Sequence, residues 1–462
     1  MIKRINKRFA AVVLCANMLL AAGCGTGEPA NENYMTEIQI GPEDVENNKE
    51  SGNNAATNEE GNVREEPEYT SEKLSGEDTS GLAENARATE VPEDMRPITE
   101  FGVTLLQNTL KNSDSDKNVL VSPLSVLMAL AMTSNGAEGE TKAQMEAVLG
   151  ENLNAYLSAY RLNLPSDEKS SLHLANAIWF KDMELLQVNE KFLKANADYY
   201  DAAIYKAPFD ATTLQDINNW VEYHTDGMIK NILDKISEDA ALYLVNALSF
   251  DAEWSSVYYE NQIREGIFTK EDGTAQQVEM MYSEEHRYLE DEWATGFMKY
   301  YKGQKYAFVA LLPKEGITVA DYVESLTGEH LKELLEVQEY QTVDVMMPKF
   351  ETEYSIELND VLKQMGMVNA FDRDIADFSA MATVPPDWNI SISRVLHKTF
   401  ITVDERGTKA GAATVVQMDC TTTSIDVELP KQVFLDRPFV YLLIDCEKNE
   451  PFFMGTMMDM EK

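Results

Sequence analysis

The stretch "SRVLHKTFITVDERGTKAGAATVVQMDCTTTS", Ser393 to Ser424, changes character in the middle. Its first part, "HKTFITVDE" from His397 to Glu405, has the β-branched and aromatic content of a strand. Small and β-branched residues follow, with no helical period. Stepping by two from Thr408 gives Thr408, Ala410, Ala412, Thr414, Val416 and Met418, none of them charged. The other row is Lys409, Gly411, Ala413, Val415, Gln417 and Asp419, and it holds both charges. Alternate side chains of a strand face opposite sides of its sheet. The stretch is therefore composed so that one row could face a core and the other could stay outside. No proline occurs from Asp404 to Leu429, so no ladder donor is missing. Gly407 is expected to supply an unusual φ/ψ where the chain turns into a sheet. The plainer alternative is a flexible Ala/Gly/Thr linker.

Working outward, the chain has 462 residues, long for one domain. At the N-terminus, Lys3, Arg4, Lys7 and Arg8 precede "FAAVVLCANMLLAAG", an apolar run short for a spanning helix. Residues 1–23 read as a signal peptide. "LLAAGC", Leu19 to Cys24, resembles a bacterial lipobox, which would make Cys24 the lipid-bearing first residue of the mature protein. Ala21 stands where Leu is commoner, and an ordinary signal peptide is the alternative. Several acyl chains on one cysteine suffice for stable anchoring.

Between Glu28 and Met95 there are 19 acidic and 4 basic residues, with few apolar ones. Such a segment buries too little to offset its ordering entropy. Residues 24–95 are expected to be a lipidated cysteine followed by a disordered, self-repelling tether.

From Arg96 to Lys462 the chain carries 31 basic and 60 acidic residues. This balance argues against nucleic acid, polyanions and anionic membrane as ligands. With Cys15 in the signal and Cys24 lipidated, only Cys420 and Cys446 remain, without metal spacing or a disulfide framework.

Helical signals come first in this part. "PITEFGVTLLQNTLKN" puts Phe101, Leu105, Leu106 and Leu110 on one face. "VSPLSVLMALAMTSNGA" offers Ser122 as N-cap, Pro123 at the first position and Gly136 as a stop, and its apolar girth predicts burial. "GETKAQMEAVLG" and "DINNWVEYHTDG", the latter from Asp216 to Gly227, read as shorter helices. "LHLANAIWF", "LYLVNALSF", "YAFVALLP" and "FVYLLID" read as buried strands. The order predicts an α+β fold, with helices packed on large mixed sheets.

There is no GxSxG, HExxH, Walker A or GxGxxG motif. His173, His224, His286, His330 and His397 are scattered, and none adjoins a nucleophile in a recognisable motif. No catalytic residue, metal or cofactor is expected, and the chain reads as a binding or shape-changing protein.

Several segments, in order, resemble the serpins, the serine protease inhibitors that trap their targets by changing shape. They are "NVLVSPLSVLMALAMTSNGAEGETKAQM", "LYLVNALSFDAEW", "VMMPKFETEYSIELNDVLKQMGMVNAFDRDIADFS", "SRVLHKTFITVDERGTKAGAAT" and "FLDRPFVYLLIDCEKNEPFFMGTM". Together they cover nearly all of 96–462. The resemblance implies a serpin fold with three β-sheets, about nine helices and an exposed reactive-centre loop. It implies no catalytic activity, a monomer, and a covalent complex with a target protease as the functional partnership.

The resemblance also assigns residues. Glu405, Gly407, Thr408, Ala410, Ala412, Ala413 and Thr414 match the hinge of the reactive loop. Ser122, Ser125, Asn246 and His397 match the polar cluster under the large sheet that parts for insertion. Trp254 matches the aromatic at the top, where insertion begins. Arg406 and Lys409 stand where inhibitory members usually carry acidic residues, and Gly411 where Ala is commoner.

Counting Glu405 as the seventeenth residue before the scissile bond places cleavage at Thr421–Thr422, with Cys420 and Met418 as near alternatives. These uncharged residues favour elastase-like or subtilisin-like serine proteases, or papain-like cysteine proteases, over trypsin-like ones. The leading reading is an inhibitor held by its lipid on the outer face of a bacterial membrane. The alternative is a non-inhibitory serpin acting as a cell-surface binding or scaffold lipoprotein.

Overall fold

The computed structural model describes residues 65–74, 97–167, 170–237, 239–336, 340–408 and 430–461. Residues 1–64, with Cys24, lie outside these. So do Lys409, Ala410, Ala412, Ala413, Thr414, Met418, Cys420, Thr421 and Thr422.

The described residues form nine α-helices: α1 (Pro97–Lys111), α2 (Pro123–Ser134), α3 (Gly139–Leu149), α4 (Leu153–Leu162), α5 (Glu190–Tyr200), α6 (Ala211–His224), α7 (Val319–Ser325), α8 (Gly328–Leu335) and α9 (Asn359–Met365). The strands, in chain order, begin with β1 (Glu72–Lys73), β2 (Val119–Val121), β3 (Ser166–Asp167), β4 (Ser170–Lys181), β5 (Gln187–Val188), β6 (Ala203–Ala207) and β7 (Leu242–Glu253). Next come β8 (Ile263–Thr269), β9 (Ala275–Glu285), β10 (Tyr288–Glu290), β11 (Ala294–Tyr300), β12 (Tyr306–Pro313), β13 (Val343–Pro348) and β14 (Phe350–Glu357). The last are β15 (Ala382–Thr383), β16 (Leu396–Val403), β17 (Gly407–Thr408), β18 (Lys431–Phe434), β19 (Phe439–Asp445) and β20 (Glu450–Met457).

Three sheets carry the α+β fold. The largest runs β1-β6-β4-β7-β17-β16-β14, with β3 beside β4. The second runs β10-β11-β12-β19-β20-β2, and the third β18-β13-β9-β8. A two-stranded ribbon, β15-β5, is added to these. Strands β12, β19 and β20 are buried along their whole length, which explains their unbroken apolar runs.

Helix α2 begins as its sequence suggests. Ser122 is the N-cap and accepts from the N–H of Ser125, and Pro123 follows it. Leu124, Leu127, Met128 and Met132 are fully buried. The helix ends at Ser134 with Asn135 as C-cap. Gly136 is needed for a different reason than a left-handed stop: a Cβ there would collide with Met381.

Helix α6 starts five residues before Asp216. Asp210 is its cap, accepting from the N–H groups of Thr212 and Thr213. Asp216 is thereby freed from a capping role and lies buried inside the helix. Its carboxylate has another task. Thr70 Oγ1 (2.8 Å), Ser71 N (2.8 Å) and Ser71 Oγ (2.7 Å) all donate to its Oδ2.

The expectation of an unstructured tether over 24–95 therefore fails at 65–74. Here β1 pairs antiparallel with β6, Glu72 opposite Lys206, and the two side chains form an ion pair at 3.2 Å. Leu74 N donates to Ile204 O. Tyr69 meets Tyr205 edge-on, and Tyr205 stacks on Trp179 at 4.7 Å, with Trp220 set edge-on against Trp179. Composition favours disorder, but this short polar piece gains a buried charge-assisted acceptor and an aromatic wall.

Substituting Asp216 by Ala would leave three donors without their acceptor. The expected cost of docking is about 2 kcal/mol, or roughly 30-fold faster hydrogen exchange along β6. Exchange measured by mass spectrometry checks this, with β19 as the unaffected reference; unchanged exchange in β6 would refute it.

Candidate functional site

The centre of the large sheet is its most unusual part. Among the described residues, β7 and β16 make no strand pair with one another. They are joined through β17 alone, where Gly407 lies opposite Glu253, and Thr408 opposite both Ala252 and Val403. Two strands separated by a third stand about 9.6 Å apart, twice the ordinary spacing. Below β17 the two strands flank a cleft of about 1150 Å³, with Asn246 and Leu248 from one side and His397, Thr399 and Ile401 from the other among its lining.

A tight turn directs the chain into β17. Asp404 accepts from the N–H groups of Arg406 (2.8 Å) and Gly407 (3.2 Å) through Oδ1, and its own N–H donates to Gly407 O. Gly407 does not take a positive φ, so the reason expected for it does not hold. A Cβ at this position would strike the carbonyl oxygen of Ala252. Glycine is required here for close approach between strands.

The turn is held from three sides. Trp254 N donates to Arg406 O (2.7 Å), Tyr258 N to Glu405 O (2.9 Å), and the Trp254 indole N–H to Asp404 O (2.8 Å). Glu405 forms an ion pair with Lys349 at 2.9 Å, and Lys349 also reaches Glu279 at 3.4 Å. The Lys349 hydrogen bond lowers the Glu405 pKa below the usual carboxylate range. Thr408 is buried, with Oγ1 at 2.6 Å from Tyr301 Oη. Tyr301 stacks face to face on Trp254 at 4.4 Å. Arg406 stays exposed, outside the sheet.

The polar groups under the sheet are brought together in part. Ser122 Oγ donates to Phe452 O (2.8 Å) and accepts from Ser125 N (3.2 Å). Ser122 N donates to His397 Nε2 at 2.9 Å. Thr399, two residues on, donates to Leu120 O. Asn246 belongs to the opposite rim: its Nδ2 donates to Asn176 Oδ1 (2.9 Å) on β4. Its Oδ1 is buried with no hydrogen-bond partner among the described residues. Sequence reading missed Tyr301, Lys349, Asn176 and Thr399. Lys349 sits in the quoted "PKF" segment, but nothing local marks it as the partner of Glu405.

Burial lowers the His397 pKa from 6.5 to about 4. The neutral ring is also what Ser122 requires, since Nε2 must accept. A group with a lowered folded pKa contributes its stability above the unfolded pKa, and loses it as pH falls from about 6.5 to about 4. The full loss is on the order of 3 kcal/mol. A His397→Gln variant, which cannot titrate, should be less stable than wild type at pH 7, and that difference should shrink as pH drops to 4. Denaturant unfolding across this range checks it; a gap independent of pH would contradict it.

Comparison with known proteins agrees with this architecture. The family model described as "Serpin (serine protease inhibitor)" matches residues 96–460. A serpin-like protein of Thermococcus kodakarensis is 34% identical over 356 residues, covering 75% of this chain and 81% of that protein. Neuroserpin of Mus musculus is 29% identical, with 79% of this chain and 91% of that protein covered. The crystal structure of tengpin, a thermophilic serpin, in its native state is 45% identical with a TM-score of 0.74, over 80% of this chain and 95% of that one. With a family match spanning residues 96–460, and a central sheet parted around Gly407 and Thr408, this chain belongs to the serpin family.

Proposed function

We propose that this protein is a suicide-substrate inhibitor of serine endopeptidases. The observation that carries the reading is β17. Gly407 pairs with β7 and Thr408 with both β7 and β16, and the row that follows in sequence is free of charge. Loop insertion by serpins is the established example of strand addition and of strain release in this family. The protease's nucleophilic oxygen attacks the carbonyl carbon of Thr421. The bond to Thr422 breaks, and the leaving nitrogen takes its proton from the protease's general acid. An ester then tethers the protease to the loop. Ala410, Ala412, Thr414, Val416 and Met418 follow Thr408 into the sheet before water can cleave that ester. Each ladder hydrogen bond gained contributes about 0.5–1.5 kcal/mol net. The starting state is metastable, so its persistence is kinetic.

The uncharged residues Met418, Cys420 and Thr421 point to elastase-like or subtilisin-like targets, and papain-like cysteine proteases share that preference. Ala410, Ala412, Ala413 and Thr414 complete the hinge. Cys24 would carry the lipid, placing the inhibitor as a monomer on the outer face of a bacterial membrane, with residues 1–23 removed.

Incubation with an elastase or a subtilisin should give an SDS-stable complex. The fragment released from it should begin at Thr422, as read by mass spectrometry. If only cleaved protein and active protease appear across a panel of proteases, the inhibitory reading fails.

Thr408→Arg should turn the inhibitor into a substrate, because a cation cannot occupy the buried site, 3% exposed, that Thr408 already fills, and β17 could no longer lead the insertion. The inhibitor-to-protease ratio needed for full inhibition should rise about tenfold or more, equivalent to at least ~1.4 kcal/mol on the insertion barrier. An unchanged ratio would refute the role of Thr408 in leading the insertion.

A further inference from the structure

Behind the hinge lies a buried charge that the mechanism above does not use. Lys299, on β11, is 1% exposed. Its Nζ is 2.6 Å from Glu285 Oε1 on β9. It also lies over two rings, 4.5 Å from the centre of Tyr258 and 5.5 Å from that of Trp254. Ser283 Oγ donates to the same Glu285 oxygen at 2.7 Å and stands 3.2 Å from Tyr258 Oη.

Trp254 and Tyr258 together supply the three donors on the carbonyls of Asp404, Glu405 and Arg406. One ammonium therefore lies over the rings of both residues whose N–H groups bond the carbonyls of the hinge turn. It also ties β11 of the second sheet to β9 of the third. The chain from Trp254 to Tyr258 lies outside any strand; its backbone is held at the start by the Trp254–Tyr301 bridge and the bond from Ser255 N to Tyr300 O, and the two rings are held by Lys299.

Packing alone does not explain a charge here. Taking an ion pair out of water costs several kcal/mol per ion, and apolar side chains of similar volume often pack as well or better. Charge gives something an apolar residue lacks. A cation attracts the faces of two rings and a carboxylate at once, and so fixes their angles.

We propose that Lys299 is a positioning residue for loop insertion. Through Trp254 and Tyr258 it fixes the turn 404–406, so that β17 starts in register with β7 and Thr408 faces inward. The proposal rests on the inhibitory reading for its effect on protease trapping, and on geometry alone for its effect on the turn.

The double variant Lys299→Met/Glu285→Gln removes the pair without leaving an orphan charge. In the full-length protein, exchange of the Trp254 indole N–H, followed by NMR, should quicken about tenfold. With a protease that wild type traps, loop cleavage should keep its rate, while the inhibitor-to-protease ratio should rise at least threefold. Lys299→Arg, which keeps the charge, should recover most of the loss.

A slow indole proton and an unchanged ratio, even with a lower unfolding temperature, would reduce Lys299 to a structural role and overturn the proposal. If wild type traps no protease, the inhibitory reading falls, and the indole exchange still decides the positioning role. Should the double variant not fold, Glu285→Gln alone keeps an oxygen for Lys299 and should shift both readouts the same way, less far. No shift in either would count against the proposal.

Discussion

The structure depends on one constraint: β7 and β16 stand a strand's width apart, and the chain itself supplies what begins to fill that width. A sheet gains most from a central strand, which bonds on both edges. Here the first two residues of such a strand are in place, and the chain that follows has the alternation to continue it. Gly407 lets the backbones close on one another. Thr408 sets the facing through Tyr301, and Asp404 tightens the turn that aims the chain. Each of these groups is small or neutral where it enters the sheet, and charged or exposed where it remains outside.

Much of the fold was legible because the signals were local. A Ser-Pro start gave α2, and unbroken apolar runs gave β7, β12 and β19. The resemblance to serpins joined these pieces into one topology. Of the residues singled out by the resemblance, Gly407 and Thr408 lie in a strand of the large sheet, and Ser122 bonds both Ser125 N and His397 Nε2.

What escaped the sequence was contact between distant residues. Asp216 resembles the start of a helix, because an acidic residue before "INNW" fits a cap. Its partners, Thr70 and Ser71, lie 146 and 145 residues away, in a segment whose composition suggests no structure. Gly407 was expected for its backbone freedom, yet the reason is an oxygen on a neighbouring strand. Asn246 was grouped with His397, but the parted sheet holds it on the opposite rim, with Asn176. Lys299 sits in an ordinary strand pattern, "GFMKYY", and only packing reveals that its charge is enclosed by two rings and a carboxylate.

The central claim is that the chain after Thr408 enters the sheet once it is cut. The most direct measurement is the unfolding temperature before and after nicking the loop with a protease that is not trapped. About ten new ladder bonds at ~1 kcal/mol each should raise it by roughly 10 °C or more. A nicked protein that unfolds at the temperature of the intact one would contradict the claim.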